Sequence, residues 1–596
     1  MVLIGCASCT LYMGMHESAD LEFMRQFPIM LRLNTLLNLQ PKLAMVNQPL
    51  LDVLAQLSNT TSTEVSLALS VESRKGIQII SIIFMILSQG GFGLLYSGLS
   101  RARNALTPYI AVFINMFIVL FCVWGVGYTF AWMSGNKFIG HRRKWFGSEM
   151  VSTDYIPWAL HACYTMFVAN IACGGILERG RPITYFVLSM FLAFFIHPVV
   201  VHWAWDEEGW LQTVHLRDKT DVVFKDIGGS CVIHVAGGIS GFVGALLCRP
   251  RQERTRKVSA FKILHSHSAP MTGFGGIVIY CGLITLQLTR VIATNSQANS
   301  DLIAIAIINN FLASLGSSFV VLLLAWALNN LNQSSSKSKF HWPMIQAVVN
   351  AALVGSVSVA AGCDSYYPYI SFVVGLIGGL VYMFYSFVVY LCMVDDPAET
   401  FAVHFGPGFW GVLAAAIFSR TYGAAYQTKV NGTYEETPYL IFAWNLIGAI
   451  VITAWCFVLV LIILLIVLLS GKLRVKKDIE CEGVDADAFQ EFAYPIEAWK
   501  RAPFEEKFQM QDDVSDISEK PSMPQTDHNH DCCRYCPEHD DRYRPLPPYC
   551  PEHDDRPRSQ PPRYWPEHYF NSYRPNYFMA PRAKLVRPPY GSIYKI

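Results

Sequence analysis

Eleven runs of apolar residues constrain this chain more than any other feature. They cover Ile77–Leu99, Pro108–Met133, Tyr155–Ile176, Thr184–Trp203, Gly228–Leu247, Met271–Leu288, Leu302–Leu328, Met344–Ala361, Tyr369–Met393, Phe401–Phe418 and Leu440–Leu469. Each is near or above the ~18–20 residues with which a helix crosses a bilayer. Backbone groups in hydrocarbon must bond within their own segment, so runs of this length are helices. Composition agrees: 52% of the 596 residues are hydrophobic and 15% charged, against about one quarter charged in a soluble domain. A formal net charge of +1 offers nothing to nucleic acid. Cys122, Cys173, Cys231 and Cys456 lie inside apolar runs, as buried thiols do, and do not read as a secreted disulfide framework. The first twenty residues lack a basic n-region, and their apolar core is too short to predict a signal peptide.

An odd number of spans puts the two ends of the chain on opposite sides. Arg101, Arg103, Arg179, Arg181, the run CRPRQERTRK from Cys248 to Lys257, Lys262, Lys337, Lys339 and GKLRVKK after the last span load one set of loops. The positive-inside rule therefore predicts a cytoplasmic C-terminus and an extracellular N-terminus. HRRK, from His141 to Lys144, runs against this. Asn59 and Asn431 head sequons on the outer side and are glycosylation candidates.

Two spans share a pattern. DIGGSCVIHVAGGISGFVGA (Asp226 to Ala245) and DDPAETFAVHFGPGFWGVLAA (Asp395 to Ala415) each carry an aspartate eight residues before a histidine, Asp226 with His234 and Asp396 with His404. Superposing the histidines brings Gly238 onto Gly408 and Gly241 onto Gly411. These are the fifth and tenth spans, and five spans per repeat invert the second copy. The expected fold is an all-α polytopic membrane protein of two inverted five-helix repeats plus a final helix. Eight residues at 1.5 Å rise carry each histidine roughly 12 Å inward, so from opposite faces the two meet near the middle of a core about 30 Å thick. Intramembrane ionisable groups are costly and mark pathways, which favours a functional pair. An aspartate at a helix start is usually a cap. In Asp396-Pro397-Ala398-Glu399, proline at the first helical position and a capping-box glutamate predict a structural helix cap at Asp396. Asp226 either caps its helix or aims its carboxylate at a site.

These motifs resemble the ammonium transporter (Amt/Mep) family, the sister of the Rhesus glycoproteins, over about Ile77 to Tyr494. GGFGLLYSGLSRARNAL (Gly90 to Leu106) resembles its first span and turn. GGILERGRP (Gly174 to Pro182) resembles the end of its third span, and HWAW (His202 to Trp205) the end of its fourth. DIGGSCVIHVAGG carries the family signature, and LRVKKDIECEGVDADAFQEFAYP (Leu473 to Pro495) resembles the tail of the Amt side, with Phe489 where a histidine is common. The resemblance implies a homotrimer of the plasma membrane in which each protomer has its own pore. Ammonium is recruited at an outer vestibule and deprotonated, and ammonia passes a hydrophobic channel lined by His234 and His404. By the same resemblance Trp205 offers the cation an aromatic face, Asp226 stabilises or deprotonates it, Tyr164 stands at the outer gate and Leu286 at the inner one. Arg290 replaces a vestibule serine. It either repels ammonium there or snorkels to the surface at its helix end.

The expected organisation is an extracellular extension (1–76), the eleven-helix domain (77–471), a family-like cytoplasmic segment (472–495) and a disordered Pro/Arg/Tyr-rich tail (496–596). That tail repeats CPEHDDR at Cys536 and Cys550 and has unknown cytoplasmic partners. The Cys and His spacing there fits no standard zinc site; no metal or cofactor is expected, and nothing points to an enzyme. Two span-six departures from the family pattern, Leu286 in place of a gate phenylalanine and Arg290 in place of the vestibule serine, keep open a second reading, a non-conducting ammonium sensor or regulatory subunit of the same fold.

Overall fold

The computed structural model describes residues 62–142, 144–212, 214–215, 221–254, 264, 266–295, 299–333, 343–426 and 438–494. Asn59, Asn431 and the repeat-bearing tail lie outside the described residues. All described residues fall in the first of two compact units, Met1–Trp499, the second being Lys500–Ile596.

Among the described residues eleven helices are long and apolar enough to cross a membrane. They are α1 (Ser70–Leu99), α2 (Ala102–Trp132), α3 (Ser152–Ile176), α4 (Pro182–Trp205), α5 (Ser230–Cys248) and α6 (Ala269–Thr294). Then come α7 (Ser300–Asn330), α8 (Met344–Gly362), α9 (Pro368–Leu391), α10 (Phe401–Phe418) and α11 (Tyr439–Leu469). Two short helices follow, α12 (Lys477–Glu482) and α13 (Val484–Phe489). A two-residue antiparallel pair, β1 (Val214–His215) with β2 (Asp221–Val222), interrupts an otherwise helical chain. The eleven apolar runs and the eleven spans correspond one to one, and α1–α5 and α6–α10 are the two inverted repeats. Helix α3 is central, 94% of its apolar window buried, while α11 stands outside both repeats with 28% buried.

One end of the bundle gathers the loops after α1, α3, α5 and α9. Glu178 takes Arg101 and Arg251 as ion-pair partners and accepts from Asn104 Nδ2 at 2.9 Å. Asp395 accepts from Arg251 Nε at 2.8 Å and Arg254 Nη1 at 2.7 Å. The segment after α11 docks on the same end. Asp485 accepts the N–H groups of Leu106 and Thr107, both at 2.8 Å, satisfying donors at the start of the second span. Glu480 accepts from Arg474 Nη2 at 2.7 Å and from Gln252 N–H at 2.8 Å. Arg101, Arg251 and Arg254, counted among the loop charges, therefore also carry buried bonds.

Burial alone would raise the Glu178 carboxyl, but Arg101 and Arg251 hold it well below the usual range. A depressed folded-state pKa stabilises the protein above the ordinary 4.5 and loses that contribution as pH falls through the lower value. Removing one partner of a buried ion pair costs about 3–5 kcal/mol. Glu178→Gln is expected to lower the melting temperature in detergent at pH 7. An unchanged melting temperature would mean the cluster holds the loops no better than neutral residues do.

Candidate functional site

The chain enters α5 through a turn that only glycine fits well. Gly229 lies at φ 88, and a Cβ there would meet Ile233 at 2.9 Å and Trp205 Cζ2 at 3.3 Å. The turn lets Asp226 reach forward, its Oδ2 accepting from the N–H groups of Cys231 and Val232 at 2.9 Å each. Helix α5 then opens on a wide π turn, Ser230–Val235, that carries His234. Helix α10 opens in the same way, with a π turn at Phe401–Phe405 that carries His404. Asp396 Oδ2 accepts from Phe401 N–H and Thr400 Oγ1, both at 2.9 Å. Such turns are rare and concentrate at functional sites.

The capping box read at Asp396 takes a different form. The helix does not start at Pro397. Glu399 turns away at φ 52 and accepts from Asn350, Tyr382 and Ser386 instead of the Asp396 backbone. Asp396 serves the first turn from five residues back.

The matched glycines let the two histidine helices approach. A Cβ on Gly238 would sit 2.6 Å from Phe405 N, and one on Gly408 would sit 3.2 Å from His234 Cβ. His234 and His404 face each other with Nδ1 atoms 3.2 Å apart, ring centroids 5.3 Å apart and planes 9° from parallel. One Nδ1–H donates to the other ring's Nδ1, so one Nε2 is left as an acceptor and the other as a donor. His234 Nε2 has no protein partner. The sequence spacing and the structure bring the same two rings together.

A second cluster forms around Trp205. Its Nε1 donates to the Asp226 carbonyl at 2.7 Å. Tyr164 meets its ring edge-on at 5.7 Å and shares a 2.8 Å hydrogen bond with Thr289. Arg290 lays its guanidinium over Trp205, Cζ 3.7 Å from the ring centroid, with Trp132 at 5.7 Å, and its Nε donates to the Ile227 carbonyl at 3.4 Å. Arg290 is 4% exposed, so the snorkelling geometry is not the one adopted. Leu286, one turn earlier on α6, is fully buried and adds apolar surface. Asp226 is 3% exposed and its Oδ1 has no partner. Burial pushes its carboxyl up to about 6, against the pull of the Val232 and Cys231 amides and the Arg290 charge.

Sequence reasoning passed over Trp132, Thr289 and a second histidine pair. His161 and His197 stack with centroids 5.9 Å apart and planes at 6°, and Thr165 Oγ1 meets His197 Nδ1 at 3.0 Å. The signal was a histidine in each of two apolar runs, without the repeat symmetry that singled out His234 and His404. Among the described residues no group of three or more His, Cys, Asp or Glu is placed to hold a metal ion.

Fold and site define a helical membrane transport protein of the inverted-repeat kind. The chain belongs to the ammonium transporter family, whose model matches residues 77–494. It is 29% identical over 432 residues to a Caenorhabditis elegans protein described as ammonium transporter 1, covering 70% of this chain and 78% of that one. It is 26% identical to ammonium transporter 3 of Dictyostelium discoideum, covering 72% and 95%. Among solved structures, a sensor Amt protein shares the fold at a TM-score of 0.60 and 22% identity, covering 70% of this chain and 98% of that one. Saccharomyces cerevisiae Mep2 shares it at 0.56 and 19%, covering 68% and 89%.

Proposed function

We propose that this protein is an ammonium transporter or ammonia channel of the plasma membrane, working as a homotrimer with one pore per protomer. The observation that carries the reading is the 3.2 Å contact between His234 and His404, buried where the two repeats meet. Ammonium binds at an outer vestibule formed by Trp205 and Asp226 and gives up its proton. Ammonia passes the Tyr164 and Leu286 gates and exchanges hydrogen bonds with the histidine pair. A bare cation in hydrocarbon is far costlier than a neutral molecule, so deprotonation is what makes the path passable. Sodium and potassium cannot shed a proton and are rejected. In this reading the end where residues 472–495 dock is cytoplasmic, the 1–76 segment is extracellular, and the 496–596 tail meets cytoplasmic partners. Uptake of labelled methylammonium, compared between expressing and empty cells at known surface levels, tests it. Equal uptake in the two would sink it.

The vestibule role has its own pH signature. Asp226 carries full charge only above about 6, so its attraction for a cation fades as outside pH falls through that value. The half-saturating concentration of methylammonium is expected to rise between pH 7 and pH 5 in the wild type and to stay flat in Asp226→Asn. The same slope in both would remove Asp226 from recruitment.

One observation favours the second reading, a non-conducting sensor. The aromatic face that would receive ammonium already holds Arg290 at 3.7 Å.

A further inference from the structure

Arg290 lies close to the end of α6, in the run LQLTRVIAT that starts at Leu286. A basic side chain near the end of a span ordinarily runs outward until its charge meets water. This one turns inward. Its guanidinium lies on Trp205 at 3.7 Å and beside Trp132 at 5.7 Å, with Nε donating to the Ile227 carbonyl at 3.4 Å. Only 4% of the residue is exposed. Among the described residues no carboxylate forms an ion pair with it, and neither Nη has a hydrogen-bond acceptor. These two nitrogens are not sealed in. Asp226 Oδ1 and His234 Nε2 are buried without partners, whereas both Arg290 Nη atoms keep accessible surface. Trp205 and Trp132 beside them are themselves only half-buried.

A cation held this deep is costly unless it is paired. Asp226 acts on it from a distance, but Asp226 Oδ2 is committed to the Cys231 and Val232 N–H groups and Oδ1 is sealed away. The Tyr164 hydroxyl is committed to Thr289. The protein therefore gives the Nε–H an acceptor and leaves the N–H groups of both Nη atoms without one. Two of these, one from each Nη, run parallel and match two oxygens of a planar anion. Stacking on Trp205 fixes the plane of the guanidinium, so the fork is oriented before a ligand arrives. Water satisfies N–H groups but brings no charge. A small oxyanion brings both.

We propose that the Arg290 fork beside Trp205 is a binding site for a small planar oxyanion, a carboxylate or an anion of that shape, which gives the buried guanidinium the counter-charge the protein withholds. The site goes beyond the ammonium reading and does not rest on it, since binding is read on the purified chain. Where the chain also recruits ammonium at Trp205, the bound oxyanion offsets the repulsion that Arg290 sets against the cation.

Calorimetric titration of the purified full chain in detergent with sodium formate, against sodium chloride at matched ionic strength, tests the site. The expected result is saturable formate binding at least about tenfold tighter than chloride, because two parallel charge-assisted bonds favour the planar shape. Arg290→Gln removes the charge and is expected to weaken formate binding about tenfold or more. Arg290→Lys keeps the charge without the fork, and is expected to lose the preference for formate over chloride. If the glutamine variant fails to fold, the lysine variant and the wild-type comparison still decide. No formate binding by the wild type, formate and chloride bound alike, or a formate preference that survives either substitution overturns the proposal. Its failure is separable from that of the permeation reading: methylammonium uptake without formate binding removes this site alone, and formate binding without uptake removes permeation alone.

Discussion

Replacing His234 by alanine is expected to reduce methylammonium uptake at least about tenfold while leaving surface expression near wild type. An unpaired polar group in an apolar medium costs about 2–7 kcal/mol, and the two rings are the hydrogen-bonding groups that face each other where the repeats meet. The alanine removes one ring and leaves His404 Nδ1 without its partner, at about 1–3 kcal/mol. Folding should survive, because the helix start depends on Asp226 Oδ2 bonding Cys231 and Val232, which the substitution does not touch. His404→Ala should behave alike, since the contact belongs to both rings. Undiminished uptake in either variant, at matched surface levels, would mean that substrate does not travel past the pair.

Arg290→Ser is expected to lower the half-saturating concentration of methylammonium and raise any accompanying current. A guanidinium 3.7 Å above the Trp205 ring is the cation–π contact that a recruited ammonium would otherwise make. Two like charges at ~4 Å repel by about 1 kcal/mol in water and about 4 kcal/mol at the dielectric of a protein surface. Either figure shifts affinity at least roughly fivefold. If the wild type is silent and Arg290→Ser conducts, the chain keeps the conduction path with recruitment blocked, and the sensor reading stands. If both conduct with the same half-saturation, Arg290 lies off the cation's route.

The histidine pair was legible because it depends on spacing within single helices and on a parity argument about spans. Eight residues from carboxylate to imidazole, repeated in spans five and ten, are local facts. The same local reasoning misplaced the capping box: Asp396-Pro397-Ala398-Glu399 has the residues for one, but Glu399 bonds to Asn350, Tyr382 and Ser386 from α8 and α9. Loop charge was read as orientation, and several of those arginines are also committed to Glu178 and Asp395. Nothing in the sequence pairs Arg251 with partners 73 and 144 positions away.

By itself the sequence determined the number of spans, their helical state, the inverted repeat and the meeting of His234 with His404, because hydrocarbon forces the backbone to bond within its own segment. Only the tertiary structure decided whether Arg290 would reach water or lie on Trp205, and which carboxylate oxygens would be left without donors. Those outcomes depend on helices far apart in the chain competing for one buried space, where a charge settles against whichever partner the packing leaves within reach.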